Sequence, residues 1–237
     1  MFSDARRHAI YRVANAPLRS YPFVHLVVDD VFPRDVAAQM RAMLPDDGHY
    51  RPLVETGRVG RGYSDRRLAL FPDGLDAAGL DPARRAFWAG IFAMLLHEDF
   101  GAWILAKFYD TIAPRLGLED PAARMELRAE AFLMRDRGGY SLGPHTDSPA
   151  KVASVLVYLA GDDDEALGTA LYLPRDPDFV CAGGPHHGFD RFDRVTTLPY
   201  RANMMVAFPK TDRCFHGVEP VATGRRDVLL FDLKRPA

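Results

Sequence analysis

In GPHTDSPAK, residues 143–151, an imidazole and a carboxylate stand two positions apart. On an extended chain, side chains at i and i+2 share a face, so His145 and Asp147 aim at one point while Thr146 faces away. Two such donors suit a metal ion, and His216 in CFHGVEP offers a third from far along the chain. Two imidazoles and one carboxylate on one side of an ion leave coordination positions open, an arrangement suited to ferrous iron. Taken alone, the pair reads more readily as a turn aspartate beside a buried histidine. The distal context tips the balance. Arg226 opens the apolar strand DVLLFDL, from where its planar guanidinium can reach the same cavity and grip a carboxylate through two parallel hydrogen bonds. A metal beside a carboxylate clamp points to a dicarboxylate cosubstrate.

The elements that must carry these residues are short strands. After Pro121 the segments MELRAEAFLMR, YSLGPHTD, VASVLVYLA, TALYLP, VTTLPY, NMMVAFP, CFHGVEPV and DVLLFDL are separated by glycine, proline and aspartate clusters. Such punctuation indicates a sandwich or barrel rather than alternating strand and helix units. Before it, FVHLVV reads as a strand turning at Asp29-Asp30, and an amphipathic helix starts at Pro33. Residues 46–75, rich in glycine and arginine without a clear period, read as loop with short ordered pieces. From Asp81, a plausible N-cap followed by Pro82, apolar residues at helical spacing predict two helices broken near Asp99–Gly101. Trp88, Phe92 and Trp103 on them are expected in the core. The longest connection, 174–199, is expected to be functional or mobile, and GDDDEALG (161–168) to be an acidic turn.

GPHTD, SVLVYL, GTALYLP and VAFPKTDRCFHGVEPVATGRRDVLLF occur in an order and spacing that resembles the 2-oxoglutarate and Fe(II)-dependent dioxygenases of the prolyl-hydroxylase-like branch. The likeness covers residues 132–233; YPFVHLVVDDVFPRDV is similar to the entry of bacterial members, and 46–120 is matched poorly. The resemblance implies a mostly β chain with α, a double-stranded β-helix (jelly roll) core carrying N-terminal supporting helices. It implies that His145, Asp147 and His216 ligate Fe(II) and that Arg226 binds the distal carboxylate of 2-oxoglutarate. Tyr158 matches a strand tyrosine that often reaches that carboxylate, with a plain core tyrosine as the alternative. Arg135 falls where the family often places an aromatic or polar group near the metal-bound end of the cosubstrate. Arg225 competes with Arg226; strand alternation lets only one face inward, and the spacing to His216 favours Arg226. The implied activity is hydroxylation of a small-molecule or peptide substrate with O2, releasing succinate and CO2, with ascorbate a possible reductant. An intact carboxylate ligand argues against halide transfer.

The 237 residues, 48% of them hydrophobic, can bury one sizeable core, and a single domain over 1–237 is expected, with 1–120 supporting a core at 121–237. A net charge of -2 gives no overall basic field for nucleic acid. No apolar run approaches a membrane span. Two cysteines make no disulfide framework, and a cytoplasmic location is expected. His186-His187 are expected at the surface or on substrate rather than on metal. Arg58, Arg61, Arg66 and Arg67 form a basic loop, ordinarily a solvated face; folded over the iron, it would favour an acidic or phosphorylated substrate. Two other readings stay open: a cupin-like metal enzyme that does not use 2-oxoglutarate, and a non-catalytic β-sandwich binding module.

Overall fold

The computed structural model describes residues 1–60, 63–117, 127–159, 165–220 and 223–236. The N-terminal half contains helix α1 (Phe2–Asn15), strands β1 (Leu18–Arg19) and β2 (His25–Val28), helix α2 (Arg34–Ala42), strands β3 (Arg51–Pro52) and β4 (Arg67–Leu70), and helices α3 (Pro82–Leu95), α4 (Glu98–Lys107) and α5 (Tyr109–Leu116). Eight strands follow: β5 (Arg128–Arg137), β6 (Leu142–His145), β7 (Lys151–Tyr158), β8 (Ala170–Pro174), β9 (Phe192–Thr197), β10 (Met205–Pro209), β11 (His216–Val218) and β12 (Arg225–Lys234). They form an eight-stranded sheet in the order β1-β2-β10-β7-β12-β5-β4-β3 and a four-stranded sheet in the order β6-β11-β8-β9, with every pairing antiparallel. Two facing antiparallel sheets of this order are the double-stranded β-helix.

Period-2 alternation sorts the large sheet into two faces. On β5 and β12, Ala131, Leu133, Leu229, Phe231 and Leu233 pack outward on helices, while Phe132, Met134, Val228 and Leu230 face the small sheet. Both faces are covered, which is why VLLF and SVLV read as continuous apolar runs. Asp81 caps α3 by accepting from the amides of Ala83 and Arg84, both at 3.0 Å, with Pro82 at the first turn. Trp88 and Phe92 are buried.

Several expectations need correction. The break between α3 and α4 falls at Leu96-His97, because His97 Nδ1 accepts from the Asp99 amide and caps α4. Trp103 is exposed: Phe100 and Ile104, at i and i+4, form the buried stripe of α4, and Trp103 lies off it. Helix α1, not anticipated, buries Ala5, Ala9 and Val13 at the same spacing. The short ordered pieces expected within 46–75 include strands β3 and β4, the latter pairing with β5, and β9 occupies part of 174–199. Residues 161–164 of the acidic turn, and Arg61, lie outside the described residues.

Candidate metal centre

Strands β6 and β11 pair with His145 directly opposite His216. Their rings come to 4.4 Å between centroids. Asp147 lies just past the end of β6, its Oδ2 3.9 Å from His216 Nε2. One donor atom from each of the three lies within 4.8 Å of the others. Glycine lets the strands approach this closely: a Cβ on Gly217 would stand 2.4 Å from the Leu142 carbonyl oxygen.

Both imidazoles are held in one tautomer. His145 Nδ1 lies 3.0 Å from the Gly143 carbonyl, and His216 Nδ1 lies 2.9 Å from that of Cys214. A carbonyl only accepts, so Nδ1 carries the proton in each ring and Nε2 keeps its lone pair. Burial lowers both pKa values, for His145 well below the ordinary range, so both rings stay neutral. Burial alone would raise the Asp147 carboxyl, but the Lys151 ammonium and the Ser154 hydroxyl hold it well below the usual carboxylate range. Lys151 Nζ donates to Asp147 Oδ1 at 3.0 Å, and Ser154 Oγ donates to Oδ2 at 2.8 Å. Ser154 Oγ also stands 2.8 Å from Asp232 Oδ1, which Lys151 Nζ reaches at 3.0 Å. One hydroxyl proton serves one carboxylate, and the Lys151 ammonium reaches both Ser154 Oγ, at 3.2 Å, and Asp232, whose pKa burial raises against the pull of Lys151. Two neutral Nε2 lone pairs and an ionised carboxylate fit a divalent ion of the iron type.

Behind the triad lies a chamber of about 80 Å³, walled by Met134, Leu156, Phe208 and Leu230. Its polar end is one rung across three strands: Arg67 on β4 and Arg226 on β12 both pair with Asp136 on β5. Arg67 donates from Nε and Nη2 to Asp136 at 2.6 and 2.8 Å, and Arg226 Nη1 donates to the same carboxylate at 2.9 Å. Two buried guanidinium groups thus share one carboxylate. Arg226 Nε is buried without a partner among the described residues. Thr169 Oγ1 accepts from Tyr158 Oη at 2.7 Å and from Arg226 Nη2 at 3.2 Å, which leaves its own proton to be donated into the chamber. An uncompensated positive charge, an orphan N–H and a free hydroxyl proton in an apolar pocket fit a carboxylate.

The structure therefore brings together His145, Asp147, His216 and Arg226. Arg225 points the other way, its Nε 3.0 Å from Asp227 Oδ2. Tyr158 does not line the chamber; its hydroxyl is spent on the amide and side chain of Thr169, so it positions that residue. Arg135 is a correction: alternation places it on the outer face of β5, where it donates to Asp227 at 2.6 Å and Asp47 at 2.8 Å over the Tyr50 ring. Cys214 is buried, its thiol 3.1 Å from the Thr211 carbonyl. His186 sits at the mouth, 4.9 Å from the His145 ring, while His187 packs among Phe179, Phe192 and Phe215. Sequence reasoning missed Arg67, Asp136, Thr169, Lys151 and Ser154. Lys151 and Ser154 carried a signal, four and seven residues beyond Asp147; Arg67 and Asp136 carried none without the strand pairing.

No protein-family model and no curated protein matches the sequence. Among solved structures, the chain is similar to a prolyl-4-hydroxylase of Pseudomonas putida, with TM-score 0.53 and 15% identity over 98% of this chain and 99% of that one. It is also similar to a prolyl hydroxylase of Trichoplax adhaerens in complex with a hypoxia inducible factor oxygen degradation domain peptide fragment, with TM-score 0.52 and 13% identity over 98% and 90%. At these identities the likeness is one of fold.

Proposed function

We propose that the chain is an Fe(II)- and 2-oxoglutarate-dependent dioxygenase that hydroxylates a peptidyl or small-molecule substrate, releasing succinate and CO2. The observation that carries this reading is the placement of three neutral or anionic donors within 4.8 Å beside a chamber that ends in the orphan Nε of Arg226. The fold shared with prolyl hydroxylases supports it.

His145, Asp147 and His216 would hold the iron. The chemistry a ferrous ion supplies there is oxygen activation coupled to oxidative decarboxylation of 2-oxoglutarate. Arg226 and Thr169 receive the remote carboxylate, so the cosubstrate is oriented before any reaction. Asp136 holds both arginines in place while cancelling only one of their charges. Leu156, Phe208 and Leu230 exclude water from the chamber, which strengthens each of these polar contacts. Lys151 and Ser154 keep the Asp147 carboxylate ionised and aimed at the imidazole pair.

The test is succinate release by the full-length protein with Fe(II), 2-oxoglutarate and O2. Arg226→Ala is expected to lower kcat/KM for 2-oxoglutarate by roughly 100-fold, about 2.7 kcal/mol, and His216→Ala to abolish turnover. Absence of 2-oxoglutarate binding at millimolar concentration by the wild-type, metal-loaded protein would overturn the proposal.

A further inference from the structure

Toward solvent, the inner faces of β5 and β12 form a ladder of paired rungs: Asp136 opposite Arg226, Phe132 opposite Leu230, Glu130 opposite Asp232, and Arg128 opposite Lys234. The outermost rung sets two cations side by side, a pairing that costs stability unless an anion answers it. Glu130 answers it only in part. Its Oε2 takes Lys234 while its Oε1 takes Arg58, so one carboxylate serves two cations. Arg128 has no ion-pair partner among the described residues. Asp232 is engaged by Lys151. Burial, and crowding by Lys151, Arg58 and Arg128 against the pull of Asp232, lower the pKa of Lys234.

These groups line a cleft of about 560 Å³ that shares His145 and Asp147 with the inner chamber. Its apolar wall is Phe71 and Phe132, their ring centroids 4.5 Å apart and planes tilted by 32°, with the Arg58 guanidinium 3.8 Å above the Phe71 ring. The volume is that of a small-molecule site. Successive rungs on one face lie about 7 Å apart, so an anion at the Arg128 and Lys234 rung is one short carbon skeleton away from Asp147 and its neighbours.

We propose that this outer cleft selects an anionic small-molecule substrate, its carboxylate or phosphate held by Arg58, Arg128 and Lys234 and its skeleton laid along Phe71 and Phe132 toward His145 and Asp147. Substrate selection here rests on the oxygenase reading above, whereas anion binding does not, and the two are separable. Benzoate and phenyl phosphate, with benzyl alcohol as neutral counterpart, are titrated calorimetrically into the full-length protein, once saturated with Mn(II) and 2-oxoglutarate and once with neither. At least one anion is expected to bind roughly tenfold more tightly than the alcohol, about 1.4 kcal/mol. The combined Arg128→Gln and Lys234→Gln variant loses that preference while retaining 2-oxoglutarate affinity and Tm. Glu130→Gln, which frees Arg58 and Lys234 from their internal carboxylate, strengthens it several-fold, roughly 1 kcal/mol or less on that scale, a gain that a merely structural role would not produce. Equal affinity for alcohol and anions, or a preference that survives the double variant, overturns the cleft assignment. Anion binding by a protein that does not bind 2-oxoglutarate leaves the cleft standing and removes the oxygenase.

Discussion

Lys151 is the residue whose role was least visible and whose consequence is most direct. Its ammonium bridges Asp147 and Asp232, and partners that orient a metal ligand commonly carry 10–100-fold in metal affinity. Lys151→Met is therefore expected to weaken Co(II) or Fe(II) binding by roughly 10–100-fold with little change in fold, as read by calorimetry and circular dichroism; an unchanged Kd would show that Asp147 needs no such support. His25 allows a separate test, away from the triad. It is buried, with Nδ1 2.8 Å from the Phe23 carbonyl, and burial lowers its pKa. Below pH 6.5 the unfolded chain takes up a proton at this site that the folded chain does not. The stability present above that pH is lost as the pH falls, by at most about 1.4 kcal/mol per pH unit for this one group. Thermal melts of the metal-free protein from pH 7.5 to 5.5 should show a shallower loss for His25→Gln than for wild type; parallel curves would contradict the assignment.

At the scale of elements, the site depends on how closely β6 and β11 approach. The Cβ of Gly217→Ala would meet the Leu142 carbonyl oxygen at 2.4 Å, a backbone atom that cannot swing aside, and would push His216 away from His145. Expected is a lower Tm, by a ΔΔG of about 1–3 kcal/mol as for other overpacked positions, together with loss of metal binding. Gly48→Ala, which meets nothing within 4 Å, serves as the neutral control. Retention of wild-type metal affinity in Gly217→Ala would mean that the strand spacing is not what sets the donor geometry. Strand β4 shows the limit of reading elements singly. Its RLAL is too short to signal a strand, yet beside β5 it turns Arg67 from a supposed surface charge into a buried partner of Asp136.

For the whole molecule, the large sheet is sandwiched between helices on its outer face and the small sheet on its inner face. The N-terminal half is part of the same sheet: β1 and β2 extend one edge, and β3 and β4 the other. Asn203 ties this entry to the core, its side chain pairing with both backbone groups of Phe32 at 2.9 and 2.8 Å. Because the triad draws on both β6 and β11, ion binding should stabilise the whole fold. Saturation at 1,000 times Kd corresponds to about 4.1 kcal/mol. A rise in Tm on adding Mn(II), reversed by a chelator and absent in Asp147→Ala, is the expected melt; a Tm indifferent to metal would place the binding site elsewhere.

His145, Asp147 and His216 were legible as candidates from residue type and spacing, and strand alternation, a matter of local covalent geometry, left only one of Arg225 and Arg226 to face inward; the spacing to His216 favoured Arg226, and the strand pairing decided it. Legible too were the run of short strands, the Pro33 and Asp81 helix starts, and the outline of a two-sheet fold. The outward turn of Arg135, the service of Tyr158 to Thr169, the Arg67-Asp136-Arg226 rung and the cationic end of the β5 and β12 ladder were decided by tertiary structure alone. Each depends on which strand lies next to which and in what register, and pairing between distant segments leaves no periodic trace in either of them.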